Sequence, residues 1–308
     1  MNASLKERLI RLADRISTRQ LGAFVLLSAI FTAGLIVYGS WVRVSASGLG
    51  CPDWPLCDGA DLPGNRFAAI ESGHRLLAGI TAAMVCAGGV IAFLKRKAMP
   101  GPAKVLVAAA LLILGQAILG GIVVLTDLHG FTRLAHLGLG MSILGLLFIG
   151  GLALVQKPPR IRIGPLRSAH LVLLGAGVIM FGGTMVATST GALCHNLPYC
   201  SSESPAMASS LHGIHRTLAI LFAIGIVAQG IILRKRGANQ TTWAAYGALA
   251  FFTAAQIGAG VATVVKDLPD ELRVLHVALA TLTWASLVCL WVLTSFAQPS
   301  KGSSSASA

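Results

Sequence analysis

The stretch IESGHRLLAGITAAMVCAGGVIAFL at 70–94 is an apolar run in which the only charged or imidazole side chains, Glu71, His74 and Arg75, stand near its start. Roughly 20 such residues cross the 30 Å or so of a bilayer's hydrocarbon as a helix. The run is answered by SLHGIHRTLAILFAIGIVAQGIIL at 210–233, where His212, His215 and Arg216 hold the corresponding places. Working outward, Cys51, Cys57, His74 and His136 recur in the same order and at nearly constant spacing as Cys194, Cys200, His215 and His276. Such a repeat predicts a duplicated helix bundle that carries its site along with it.

Composition agrees. With 55% hydrophobic and 11% charged residues in 308, and a mean hydropathy of +0.77, the chain does not fit a soluble domain. Eight runs are long enough to span: 21–43, 70–94, 104–126, 132–155, 168–188, 210–233, 242–265 and 273–296. The fold class expected is an all-α integral membrane protein with eight transmembrane helices in two duplicated four-helix bundles. The divisions are an amphipathic segment at 1–20, a bundle at 21–155, a linker at 156–167, a second bundle at 168–296 and a disordered tail at 297–308.

A formal charge of +13 can signal nucleic-acid binding, but its distribution here reads as membrane topology. Seventeen of the 24 Lys and Arg fall in the N-terminal segment, the turns near 95–104 and 234–236, the linker and the tail. The positive-inside rule makes those segments and both termini cytoplasmic. This excludes a nucleic-acid partner and names the lipid bilayer, here the cell membrane, as the surroundings. No cleavable signal peptide is expected, because the first apolar run is long and follows an Arg-rich amphipathic start. That start lies on the inner surface with Leu5, Leu9, Leu12 and Ile16 on one side.

All four loop cysteines then fall on the outer face, where disulfides persist. Each pair has five intervening residues, and Pro52 and Pro55 compact the first loop, so Cys51 with Cys57 and Cys194 with Cys200 read as disulfides. Unpaired thiols or a metal clip are the other readings. Cys86 and Cys289 read as core residues.

Ionisable residues inside a span are costly and therefore functional by default. His74, His136, His215 and His276 each lie in the outer third of an even-numbered span, two per half, and facing helices of a bundle can present such pairs to one heme iron. A lone histidine at a helix end would only bond a carbonyl. Gly73, Gly79, Gly138, Gly140, Gly213 and Ala278 would let a flat ring approach the backbone, though small residues also serve plain helix packing. Arg75 and Arg216 follow a histidine directly, while Arg133 and Arg273 precede one by three residues. Their guanidinium groups suit heme propionates or interfacial anchoring. Zinc is the weaker metal, since the spans carry no cysteine or carboxylate cluster. His129, His170 and His195 read as loop or interface residues.

One position separates the halves. Glu71 stands three residues before His74 on the same helical face, and His212 takes its place before His215. A buried carboxylate beside an iron ligand can take protons or stabilise positive charge, which places the chemistry in the first half and a held cofactor in the second.

The segment ASGLGCPDWPLCDG (46–59), the Glu71-Ser-Gly-His74-Arg75 motif, GQAILGGIVVLTDLHGFTRLAH (115–136), LHGIHR (211–216) and RVLH (273–276) resemble the heme A synthases of the bacterial, cysteine-containing type. The resemblance implies oxidation of the C8 methyl of heme O to a formyl group, giving heme A for terminal cytochrome oxidase. It implies a substrate heme site at His74 and His136 with Glu71 as the essential carboxylate, and a heme b held by His215 and His276. It also implies disulfides at Cys51–Cys57 and Cys194–Cys200. A heme O synthase, and a quinone or other electron acceptor, are the partners expected. A diheme b-type cytochrome carrying electrons between a quinol and a partner is the alternative, and Glu71, present in one copy only, argues against it. A transporter of parallel repeats fits the duplication but gives the histidines no task.

Overall fold

The computed structural model describes residues 3–51, 53–57, 64–156, 172–179, 182, 196–197, 200 and 206–295, and the regular elements among them are α-helices. A short α1 (Ala3–Asp14) precedes α2 (Thr18–Val44), α3 (Arg66–Leu94), α4 (Pro100–Leu125) and α5 (Gly130–Gln156). Helix α6 is described over 172–179, and α7 (Ala206–Lys235), α8 (Gln240–Val265) and α9 (Asp270–Ser295) complete the chain. Among the described residues seven helices, α2 to α5 and α7 to α9, are long and apolar enough to cross a membrane. The fold is therefore that of an all-helical, multi-pass membrane protein. Most of the expected fifth span, together with 157–167 of the linker and the tail, lies outside the described residues.

Each long helix starts a few residues before its expected apolar run, because its first turn is built from capping rather than lipid-facing residues. Ser17 and Gln20 cap α2 reciprocally through their backbone amides. The side chain of Asn65 accepts from the amides of Phe67 and Ala68, that of Asn239 accepts from Thr242, and Pro100 opens α4. The ammonium of Lys95 donates to the carbonyls of Ala13 and Ile16, which ties the end of α1 to the end of α3.

Helices α2 to α5 enclose one core of Leu21, Val25, Leu106, Ile143, Leu144 and Leu147. Helices α7 to α9 contribute Phe222, Ile226, Leu249, Leu287 and Leu290 to a second. Helix α9 also packs on α2 and α5, and Trp284 joins the two cores by donating its indole N–H to the Met141 carbonyl at 2.9 Å. Exposed apolar side chains such as Ile30, Leu76, Ile118, Ile224 and Phe251 form the outer surface, as lipid tails permit.

The turns after α4 and α8 are alike. Asp127 and Leu128 have φ of 48° and 59°, and Asp267 and Leu268 have 55° and 61°. The amide of Leu128 donates to Val123 at 2.9 Å and that of Leu268 to Thr263 at 2.8 Å, which closes each helix end and sends the chain straight back. This reversal brings the first two turns of α5 and α9, with His136 and His276, to the end of the bundle that also holds His74 and His215.

Candidate functional site

In the second group of helices the rings of His215 and His276 meet edge-on with centroids 6.5 Å apart. Two imidazoles on opposite sides of one metal ion, each with a bond of about 2 Å, have centroids roughly 6 Å apart. The separation fits a single ion between them. His215 Nδ1 lies 3.2 Å from the Val178 carbonyl, a bond that makes Nδ1 the protonated nitrogen and leaves the Nε2 lone pair available to a metal. His276 Nε2 lies 3.1 Å from the Gln256 amide nitrogen, and its Nδ1 is buried without a partner. Val178 and Gln256, which meet the two rings, also line a cavity with Phe222, Thr253, Thr283 and Trp284, among others.

In the first group His74 meets the Tyr38 ring edge-on, with centroids 5.6 Å apart, and lies within electrostatic range of His136. The Nδ1 atoms of both His74 and His136 are buried without partners. Among the described residues no three His, Cys, Asp or Glu side chains gather as a protein-only metal site requires. Paired imidazoles alone suit an iron whose remaining ligands come from a tetrapyrrole.

Each of the four rings also rests against a glycine of a neighbouring helix. A Cβ placed on Gly39 would lie 3.3 Å from His74 Cε1, and one on Gly120 would lie 3.3 Å from His136 Cε1. On Gly182 and Gly260 the distances to His215 and His276 would be 3.1 and 3.0 Å. Gly39 recurs as Gly182 at the spacing that relates the cysteine pairs, and Gly120 as Gly260 at the spacing that relates His136 to His276. Gln116 recurs as Gln256 at that second spacing too. Gln116 donates to the His136 carbonyl. Sequence reasoning missed all six, although their spacing matches that of the histidines and cysteines and carried the signal. Of the glycines it did select, Gly73 packs under the Tyr38 hydroxyl and Gly140 under Gln116, while Gly79, Gly138 and Gly213 face open space.

Glu71 is buried at 3% exposure and both of its oxygens are engaged. Oε2 accepts the Cys51 amide at 2.8 Å, and Oε1 accepts from Arg75 at 2.6 Å. Arg75 donates in turn to the carbonyls of Asp53 and Leu56. The loop so held is closed by the Cys51–Cys57 disulfide. Arg216 repeats the contact, donating to the Asn196 carbonyl at 3.1 Å. Asn196 follows Cys194 by two places, as Asp53 follows Cys51. Cys200 is disulfide-bonded as well, and Cys194 lies outside the described residues. The arginines that follow a histidine thus brace the loops over the two histidine pairs. His212 is buried beside His215.

The other arginines gather where the two groups of helices meet. Arg273 pairs with Asp270 at 2.9 Å. Arg43, in the last turn of α2, stands within electrostatic range of Arg133, Arg273 and Asp270. A cluster of guanidinium groups suits an anionic guest. Arg43 has no repeated counterpart, so the sequence offered no signal for it.

Trp54 of the disulfide loop lies across α4 at Gly121, where a Cβ would come within 2.8 Å of the indole. Gly121→Leu is therefore expected to lift the loop, at a cost of about 1–3 kcal/mol. A lower melting temperature of the purified protein and faster proteolysis within 53–57 would show it; an unchanged melt would remove Trp54 from the brace.

A family model described as COX15-CtaA, cytochrome oxidase assembly protein, matches residues 22–71 and 65–288. A relative named heme A synthase in Shewanella oneidensis is 31% identical over 212 residues, covering 60% of this chain and 62% of that protein. The chain thus spans somewhat under two thirds of that relative's length. Relatives of the same name in Bacillus licheniformis and Alkalihalophilus pseudofirmus are each 25% identical, over 234 and 287 residues. Those matches cover 71% and 87% of this chain, and 76% and 95% of the relatives.

Proposed function

Since the chain belongs to the COX15-CtaA family of cytochrome oxidase assembly proteins, we propose that it is a heme A synthase acting on the C8 methyl of heme O. The observation that carries this reading is the pair of histidine sites with a glycine against every ring, of which, among the described residues, one alone has a buried carboxylate beside it. The relatives named heme A synthase favour it over a diheme electron carrier.

In this reading the chain has eight spans in two duplicated bundles, with 168–188 as the fifth, the linker at 156–167 and the tail at 297–308. It sits in the cell membrane, both termini inside and the disulfide loops outside. Cys194 is the partner of Cys200. His74 and His136 hold heme O, and His215 and His276 hold heme b. Bound there, heme b supplies one-electron transfer. Arg133 and Arg273, joined by Arg43, take carboxylates of the bound tetrapyrroles, while Arg75 and Arg216 add positive charge at the two mouths.

Converting a methyl to a formyl group takes up one water and releases four protons and four electrons. Glu71 suits the proton side of this balance. A carboxylate has about four acceptor positions, and the Cys51 amide and Arg75 occupy two of them. The rest remain for water or a released proton beside the reacting carbon, and the anion favours positive charge developing there. Arg75 and the Cys51 amide hold the carboxylate in place and aimed. The electrons leave to a quinone or another acceptor, and a heme O synthase delivers the substrate.

The test is the heme extracted from membranes expressing the chain, with and without a heme O supply. Heme A formed only with the supply is the expected result. Two six-coordinate hemes with no conversion would instead assign the diheme cytochrome.

A further inference from the structure

Hydroxyls buried in these helices are mostly satisfied by their own backbone. Ser28, Thr32, Thr81, Thr263 and Thr281 each donate to the carbonyl four residues earlier, at 2.7–2.9 Å. Thr253 and Thr283 depart from this pattern: both are buried, and neither Oγ1 has a hydrogen-bond partner. They stand on α8 and α9 and line the cavity that includes Val178 and Phe222. Gln256, one turn from Thr253, lines the same cavity, and its Oε1 is also buried without a partner. Three unpartnered polar atoms on two packed helices around one cavity imply a hydrogen-bonding occupant, because buried polar groups are costly when unmet.

At the spacing that relates Gln116 to Gln256, the first-half positions answering Thr253 and Thr283 are Ile113 and Ile143, both buried in the first core. Gln116 and Gln256 are common to the two groups of helices, whereas the hydroxyl pair belongs to the second alone. The chemistry of the three atoms narrows the occupant. A hydroxyl donates or accepts, but a carboxamide oxygen only accepts, so the guest must donate to Gln256. A tetrapyrrole carbonyl substituent cannot do this. Water can, and two to four polar partners is what a buried water needs.

We propose that Thr253, Thr283 and the Gln256 carboxamide form a buried-water site in the wall of this cavity, beside the group ligated by His215 and His276. The proposal rests on reading that cavity as a heme site. A water dipole at this place stabilises the more highly charged, oxidised iron and so lowers its reduction potential. The isoleucines at the matching positions of the first core provide no such dipole. The two irons therefore differ in potential through two side chains that hydrogen-bond neither histidine.

The experiment uses the purified full-length protein with its hemes, as wild type, Thr253→Val with Thr283→Val, and Thr253→Ser with Thr283→Ser. Valine keeps the shape and removes the hydroxyl, and serine restores the hydroxyl. Redox-difference infrared spectra in ordinary and 18O-labelled water are combined with potentiometric titration of the heme that is lost in His215→Ala. Wild type and the serine variant are expected to show a redox-linked O–H band that moves in labelled water. The valine variant is expected to lose that band and to show a raised midpoint potential at unchanged heme content. A potential unaltered by valine, or a band indifferent to labelled water, would overturn the water site. A tetrapyrrole carbonyl band that shifts in place of the water band would overturn it too, by giving the hydroxyls to the macrocycle. Failure of the underlying reading is distinguishable, because His215→Ala would then leave the heme content unaltered before either threonine is touched.

Discussion

Glu71→Ala is expected to abolish heme A formation while the heme proposed at His215 and His276 stays at its wild-type content. The expectation follows from where the carboxylate sits. Glu71 is buried, three residues from His74, and its two oxygens join the Cys51 amide to the Arg75 guanidinium. Removal takes away the carboxylate beside the first histidine pair and also one tie of the disulfide loop to α3, the others being made by Arg75. Loss of a positioned proton acceptor alone costs about 10²- to 10⁴-fold in rate. The second histidine pair lies on α7 and α9, so its heme is spared. Glu71→Gln separates the two tasks, since the amide oxygen still accepts from Cys51 but carries no charge toward Arg75 or a released proton. Loss of conversion in both variants, with loop proteolysis unchanged in the glutamine variant, assigns the effect to charge and proton handling. A glutamine variant that converts heme O at the wild-type rate would reduce Glu71 to a fastener of the loop.

The second large effect is expected at His276. His276→Ala should remove one heme per chain, because a site built from two imidazoles with centroids 6.5 Å apart offers no third donor among the described residues. Heme per chain, measured on purified protein as the pyridine complex, checks this directly. Gly260→Leu should reproduce much of the loss without touching a donor atom. Even a Cβ there would lie 3.0 Å from the His276 ring, so the longer side chain turns the imidazole away from His215. If both variants keep the wild-type heme content, the second pair does not hold the heme. His136→Ala, by contrast, should leave that heme in place and stop conversion.

The residues differ in how far the sequence alone announced them. The four histidines were legible because two local facts coincide in them: an imidazole inside an apolar run, and a spacing shared with the loop cysteines. Gly39, Gly120, Gly182, Gly260, Gln116 and Gln256 repeat in the same register, yet glycine and glutamine are too ordinary in membrane helices to stand out. Their meaning comes only from the ring or carbonyl that each one meets. Arg75 and Arg216 show the converse. Adjacency to a histidine left propionate pairing and interfacial anchoring both open; consecutive residues on a helix point about 100° apart, and both guanidinium groups reach loop carbonyls that no sequence pattern announced.

From sequence alone came the membrane class, the seven spanning helices that the structure describes, and the recurrence of histidines and cysteines. Apolar run length and spacing along the chain are local properties, and they decide where a helix begins, ends and meets lipid. Tertiary structure alone decided that Glu71 binds the Cys51 amide, that Trp284 of one core reaches Met141 of the other, and that two threonines on α8 and α9 share one cavity wall. These depend on how helices rotate and cross, and side chains far apart in the chain become partners only once the packing of whole helices has set those angles.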